Sequence, residues 1–475
     1  MSDFSKIIIF AAENQHFTAM TKYIQRQIDL YLNEWKEDPD HKPLLLRGAR
    51  QVGKSSAVRQ LGKTFKYFVE VNFELHKSVK TFFNGDIDVK LISSKIANLL
   101  GIPVVAGETL LFLDEIQECP EAIMALRFYK ENYPELHVIA AGSLLEFALS
   151  ELPTFGVGRI HSLFMYPMTF DEFLIANGKQ GLISMRDEAD CRHPLDNTFH
   201  QQLIEQFRLY LLVGGMPEAV VKWINTQDFL KVQQVQQDII LTYEDDFNKY
   251  KGKVKPDLLR ICLHGICHAA GEKVSFSSIS RDYRSNQIRE ALQLLTLAGL
   301  LTPVLQTAGN GLPLEAEADD KQCKYLFLDP GLLLATLQLD DSSAQEMVQL
   351  ILTGTPQELV NKGGLAEMTA GLELLRHKRP IQRYKMFYWT QSGKSIAEVD
   401  YIEANKATVT PIEVKSGTQG GMKSLWIFLR DKKLSHAVRT SLENFGSFDY
   451  MDEQGHATRT VSILPLYALK KFYLL

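Results

Sequence analysis

The chain has 475 residues, 45% hydrophobic and 23% charged, with a formal net charge of −5. That length accommodates about two to four domains with substantial cores, and the charge excludes a wholly basic nucleic-acid coat while leaving room for a local basic surface. Five cysteines with neither a CxxC pair nor an even disulfide framework favour a reducing compartment, and no apolar run reaches the roughly 18 residues of a membrane span, so a cytoplasmic protein without a membrane partner is expected.

Lys6 to Ala12 is too short an apolar run, and too soon followed by Glu13, for a secretory signal. Residues 1–40 read as an N-terminal segment leading into an amphipathic helix over Tyr23 to Leu32. Short apolar runs then alternate with helical stretches: Leu44 to Arg47, Tyr67 to Phe73, Leu110 to Asp114, His137 to Ala141 and Leu163 to Pro167. This is the pattern of an α/β domain, residues 41–180, with a parallel sheet covered on both faces.

Directly after the first run comes Gly48-Ala49-Arg50-Gln51-Val52-Gly53-Lys54-Ser55, then Ser56, a complete phosphate-binding loop between a buried strand and a helix. Backbone N–H groups and a helix N-terminus there suit a triphosphate. Gly48 and Gly53 allow close backbone approach, Lys54 reaches the β- and γ-phosphates, and the Ser55 hydroxyl joins a Mg2+ shell. ATP or ADP with Mg2+ is the expected ligand. The run Thr109 to Leu113 ends in Asp114 and Glu115 at the C-terminal edge of the sheet, where open α/β folds place ligands. Asp114 would hold Mg2+ and Glu115 would polarise the attacking water. Ser143, at the end of the fourth strand, is either a sensor of γ-phosphate or water, or a helix N-cap. Arg159, after Gly158, either stabilises transition-state charge in cis or from a neighbouring subunit of a homo-oligomer, or is an ordinary surface arginine.

Residues 171 to 255 are mostly helical, with a helical segment at 200–255, a weakly structured polar stretch at 178 to 198, and a sharp turn at Gly214-Gly215-Met216-Pro217. Residues 256–310 outline a winged helix-turn-helix: helices over Leu258 to Ala269, from Ser277, and over Ser285 to Ala298, then a strand from Leu300. Arg281, Arg284 and Arg289 would touch double-stranded DNA if the third helix enters a major groove; the alternative is a protein-protein spacer. Cys262, His264, Cys267 and His268 lie among apolar residues and read as a core helix, with no metal assigned.

In residues 320–475 three strands follow one another: Lys385 to Trp389, Ile396 to Ile402, and Thr408 to Val414. Asp400 lies on the second, Glu413 and Lys415 share a face of the third, and Glu367 comes from a preceding helix. An acid from a helix, an acid from a strand and Glu-x-Lys on its neighbour make the arrangement of a PD-(D/E)XK, restriction-endonuclease-like core. There Asp400 and Glu413 would hold Mg2+, Lys415 would orient or deprotonate water, and Glu398 would contribute. The alternative is alternating charge on a solvated sheet face.

Gly48 to Ser55, Leu111-Phe-Leu-Asp-Glu-Ile-Gln117, Ala141-Gly-Ser143, Gly158-Arg159 and Tyr166-Pro-Met-Thr-Phe-Asp-Glu-Phe173 together resemble a group of prokaryotic AAA-type P-loop ATPases. In that group the ATPase precedes a C-terminal domain of unknown function, number 4143, which Gly214 to Glu218, Glu398-Val-Asp-Tyr401 and Pro411-Ile-Glu-Val-Lys-Ser-Gly417 resemble. The likeness runs from about residue 22 to 430; the first 20 residues have no counterpart, and Met168 stands where leucine is usual. It implies ATP with Mg2+, a winged-helix segment and a nuclease-like tail. The expected function is ATP hydrolysis coupled to the winged-helix and nuclease-like domains, acting on DNA. The alternatives are an ATP-controlled Mg-dependent nuclease and a nucleotide-dependent DNA- or protein-binding switch that cuts nothing.

Overall fold

The computed structural model describes residues 23–143, 145–151, 158–250, 254–337, 362–391, 397–415, 421–451 and 458–474. Five parallel strands form the first sheet: β1 (Leu44–Arg47), β2 (Tyr67–Asn72), β3 (Thr109–Asp114), β4 (His137–Ala141) and β5 (His161–Phe164), in the order β2-β3-β4-β1-β5. Their apolar runs divide between two cores with the period of two that a strand imposes. Leu44, Leu46, Leu110 and Phe112 enter one core, and Leu45, Leu111, Leu113, Val69 and Val71 the other. Helices cover both faces, including α1 (Ile28–Glu37), α2 (Lys54–Gly62), α3 (Val89–Leu100) and α4 (Pro120–Asn132). Because the strands are parallel, their C-terminal ends form one edge, and the loop after β1 opens onto it.

Two boundaries differ from expectation. The first helix begins at Ile28 rather than Tyr23, because the Asp29 carboxylate takes the Arg26 N–H at 2.8 Å and the Tyr23 hydroxyl at 2.7 Å, fixing the preceding segment as a non-helical lead. The polar stretch 178 to 198, expected to be weakly structured, holds a helix, Gln180–Glu188. Its anchor is Arg186, wholly buried, whose guanidinium bonds the Asp171 carboxylate and the Tyr467 carbonyl. A polar composition concealed an inward-facing ion pair.

Long helices follow, Asn197–Val213, Pro217–Thr226 and Phe229–Asp246, which we label α5, α6 and α7. Next come α8 (Pro256–His268), α9 (Phe276–Ile279) and α10 (Ser285–Leu297), then an antiparallel pair, β6 (Leu301–Thr307) and β7 (Ala318–Phe327). On α8, Cys262 and Cys267 are buried in the core, which pushes the Cys262 thiol up to about 12, while His264 bonds Glu244 at 3.0 Å.

β6 also pairs in parallel with β8 (Met386–Gln391), Val304 opposite Met386, and β8 pairs with β9 (Ala397–Val399). The sheet β7-β6-β8-β9 therefore runs across the boundary expected between residues 310 and 320, and the hairpin belongs structurally with the C-terminal strands. The expected strand Ile396 to Ile402 is broken at Asp400; its first residue lies outside the described residues. Val399 pairs with Trp389 in one sheet, while Tyr401, opening β10 (Tyr401–Asn405), pairs with Ile412 of β11 (Thr408–Val414) in another. β12 (His436–Ser441), β13 (Gly446–Met451) and β14 (Thr458–Pro465) complete that second sheet, in the order β10-β11-β12-β14-β13. Among the described residues, no helix is long and apolar enough to cross a membrane.

Candidate functional site

The loop after β1 depends on backbone conformations that its glycines permit. Gly48 has φ 144° and Gly53 φ 101°, and a Cβ on Gly48 would drive into the Met165 carbonyl. Gln51 also adopts a positive φ, 62°. Lys54 opens α2, so the loop leads directly into a helix N-terminus. The residue is 7% exposed, and its ammonium donates to the carbonyls of Gly48 at 2.9 Å and Ala49 at 2.7 Å. Burial pushes Lys54 down to about 8 against the opposing pull of Glu115 and Asp114, and an anion at this position would favour the ammonium and raise it again.

Ser55 Oγ lies 3.1 and 3.3 Å from the two oxygens of Asp114, and Asn72 Nδ2 lies 3.5 Å away. Burial, then the neighbouring Glu115 charge, pushes Asp114 up to about 6; a bound cation would reverse that. A hydroxyl and one carboxylate fit Mg2+, which takes few protein oxygens and completes its shell with water and phosphate. Among the described residues no group of three or more His, Cys, Asp or Glu is arranged to hold a metal ion.

Glu115 has φ 49°, a left-handed conformation rarely adopted by a glutamate, and it turns the side chain along the sheet edge. Its Oε2 accepts from Gln117 Nε2 at 2.7 Å and from both the N–H and the hydroxyl of Ser143 at 3.2 Å. A Cβ on Gly142 would collide with the Gln117 side chain. The structure thus brings Lys54, Ser55, Asp114, Glu115 and Ser143 to one edge.

It does not bring Arg159 there. Arg159 lies two residues before β5, whose His161 is level with Leu44 at the start of β1, so it stands at the opposite edge of the sheet from the loop that follows Arg47. There it pairs with Glu131 at 2.5 Å and is 54% exposed. A cis role is incompatible with this placement. Gly156 and Val157, which precede it, lie outside the described residues.

Three contacts that pattern reading did not foresee hold the loop. Arg26, 6% exposed, donates to the Val52 carbonyl at 2.9 Å and the Tyr166 carbonyl at 2.8 Å, and its Nε lies 3.0 Å from Glu172, an ion pair rather than an aligned hydrogen bond. Arg50 bonds Asp246, at the end of α7, at 2.7 and 2.9 Å, while the Tyr243 hydroxyl donates to the Arg50 carbonyl at 2.6 Å. Gly299, after α10, packs against Ala49. Only the apolar and charged residues in their own helices signalled these elements; their partners are distant in sequence.

The C-terminal acids also converge, with a lysine that sequence reading did not single out. Lys324 on β7 lies 2.6 Å from Glu367 and 2.5 Å from Glu398. Lys273 lies 2.9 Å from the other oxygen of Glu398. Asp400 accepts the Val414 N–H at 2.7 Å, and Lys415 lies 2.5 Å from Glu413. Glu413 Oε2 is buried without a hydrogen-bond partner among the described residues. Burial and mutual repulsion with Asp400 raise both Glu367 and Glu413 well above the carboxylate range. One ammonium, that of Lys324, bridges two of the four carboxylates, and Asp400 lies at a strand break instead of within a strand.

Residues 40–174 match the family described as AAA domain. Residues 204–343 match a domain of unknown function, DUF8612, and residues 362–466 another, DUF4143. No curated protein sequence is detectably similar. Among solved structures, the Walker-type ATPase PABY2304 of Pyrococcus abyssi is similar at 17% identity over 66% of this chain and 96% of that one, with a TM-score of 0.41. The Aeropyrum pernix Orc1 protein in complex with DNA aligns at 12% identity over 68% of this chain and 90% of its own, TM-score 0.26. Cdc6p from Pyrobaculum aerophilum aligns at 13% identity over 70% and 97%, TM-score 0.25. The phosphate loop, the five-stranded parallel sheet and the match over residues 40–174 identify an AAA-type ATPase domain, followed in the same chain by a DUF4143 domain.

Proposed function

We propose that the chain binds ATP with Mg2+ at Gly48 to Ser56, hydrolyses it with Glu115, and transmits the nucleotide state to the helical module at residues 256–327 to control contact with double-stranded DNA. The observation that carries the hydrolytic part is the convergence of Lys54, Ser55, Asp114, Glu115 and Ser143 on one sheet edge. Lys54 exchanges the carbonyls of Gly48 and Ala49 for phosphate oxygens. Ser55 and Asp114 hold the cation, which when bound offsets charge on the phosphates. Glu115 orients the attacking water, and Ser143 fixes the Glu115 carboxylate through two hydrogen bonds.

Coupling is supported by Arg50, a loop residue ion-paired to Asp246, and by Gly299, which rests on Ala49. Any shift of the loop on nucleotide exchange strains both. Arg281, Arg284 and Arg289 are exposed at α10 and its approach, where they would meet phosphates. A role for Arg159 would require a neighbouring subunit. DNA cleavage at Asp400, Glu413 and Lys415 is a weaker reading, because Lys324 already occupies Glu367 and Glu398.

The test is steady-state ATP turnover and nucleotide binding in the full chain. Lys54→Ala should lose both, whereas Glu115→Gln should retain ATP and lose turnover. Wild-type turnover in either variant overturns the assignment. DNA binding that is salt-dependent and differs between ATP and ADP supports the coupled reading; identical binding in both states refutes it.

A further inference from the structure

The acid cluster of the C-terminal half contains its own cations, and their arrangement is independent of the nucleotide site. Lys324 is 2% exposed and bridges Glu367 on the helix Lys362–Arg376 to Glu398 on β9. Its ammonium also lies 5.2 Å from the centre of the Tyr388 ring. Lys273, from the loop after α8, closes the other side: it reaches Glu398 Oε2 at 2.9 Å and the Thr390 hydroxyl at 3.0 Å. Glu413 is satisfied on one oxygen by Lys415, while its Oε2 is buried with no partner among the described residues.

Charge counting separates the possibilities. Four acids, Glu367, Glu398, Asp400 and Glu413, face three lysines, Lys273, Lys324 and Lys415, leaving one negative charge when all are ionised. A divalent ion added to that set would leave a positive excess beside the buried Lys324 ammonium, which a low-dielectric interior penalises. Without Lys324 the excess is two negative charges, which suits a divalent ion on oxygen ligands.

We propose that Lys324 is the resident cation of this cluster, standing in for a divalent metal, so that the cluster excludes such ions while Lys324 is in place and becomes a metal site when the ammonium is removed. Glu413 Oε2, buried and without a hydrogen-bond partner among the described residues, is the further oxygen that would join that set.

The test is calorimetric titration of the full chain with Mn2+ in the absence of nucleotide, every protein carrying Asp114→Asn to remove the metal ligand at the phosphate loop. With Lys324 intact, no site tighter than about 1 mM is expected. Adding Lys324→Met should create a single site, tightened on the order of tenfold or more by loss of the adjacent positive charge, and further adding Glu413→Gln should abolish it. Thermal melting gives a second reading: Lys324→Met should melt lower than its parent, and Mn2+ should restore it. If Lys324→Met does not fold alone, refolding in Mn2+ should recover it, and failure to recover overturns the proposal. Mn2+ uptake with Lys324 intact that disappears in Glu367→Gln overturns it too, as does a folded Lys324→Met protein that gains no site.

Discussion

Replacing Arg26 with methionine tests whether the phosphate loop is shaped before nucleotide arrives. The Arg26 guanidinium joins three segments: it caps the Val52 carbonyl inside the loop, the Tyr166 carbonyl beyond β5, and the Glu172 carboxylate. Arg26→Met keeps most of the aliphatic volume but leaves the Glu172 carboxylate, in a residue 5% exposed, to the backbone N–H groups of Gln27 and Thr169. Removing one member of a buried ion pair costs about 3–5 kcal/mol, on the order of 10 °C in Tm for a domain of this size. Arg26→Lys retains a charge but cannot span both carbonyls in one plane, so the loss should be smaller, about 1–2 kcal/mol. The assay is thermal melting with and without Mg-ADP, together with equilibrium nucleotide binding. If Val52 is held in place by Arg26, Arg26→Met should also weaken nucleotide binding roughly tenfold, an effect of about 1.4 kcal/mol. A variant with wild-type Tm and wild-type affinity refutes the reasoning; lowered Tm with unchanged affinity would show that Arg26 supports the domain without shaping the loop.

Gly48→Ala should abolish nucleotide binding and cost about 1–3 kcal/mol, because the added methyl meets the Met165 carbonyl in a backbone conformation that alanine disfavours; a nucleotide-binding isotherm like that of wild type would contradict the loop geometry. Arg159→Ala, at the far edge of the sheet, should leave turnover of dilute protein within about twofold of wild type, given the small worth of exposed ion pairs, and a collapse that depends on protein concentration would reveal a role between subunits. His137, stacked on His41 at 3.9 Å and edge-on to Trp35, is pushed down to about 4, first by burial and then by His41. Its neutral form is favoured in the fold, so its contribution is complete above the unfolded value near 6.5 and is lost as pH falls toward 4. Between pH 7 and 5 the wild type should lose roughly 2 kcal/mol more stability than His137→Gln in urea unfolding, and parallel pH profiles would exclude the effect.

The nucleotide domain was legible because its chemistry is local in sequence. Leu44 to Leu46 and Leu110 to Leu113 are buried on both faces, so unbroken apolar runs announced central strands, and each ended at the residues that carry charge. Where the partners are distant, legibility failed. Arg26 stood in an apparent helix, and its targets lie 26 and 140 residues away. Lys324 ends the polar run Ala-Asp-Asp-Lys-Gln-Cys-Lys and looks like one more solvated charge; only the alternation toward Leu326 hints that it points inward. Arg186 was similarly lost in a polar stretch. Arg159 is the opposite case: a glycine-arginine pair after a nucleotide motif invites a catalytic role, but the parallel register of β5 with β1 places it at the far edge of the sheet from its own chain's phosphate loop.

The shared sheet has a practical consequence. A fragment ending near residue 315 would keep β6 but lose β7 and β8, which flank it on either side, and one beginning there would leave β8 without β6. Each half would expose a row of unpaired backbone groups beside apolar side chains such as Val304 and Met386, a template for aggregation. Any fragment made for expression, tethering or swapping therefore has to keep the β6–β7 hairpin together with β8, the strand it completes.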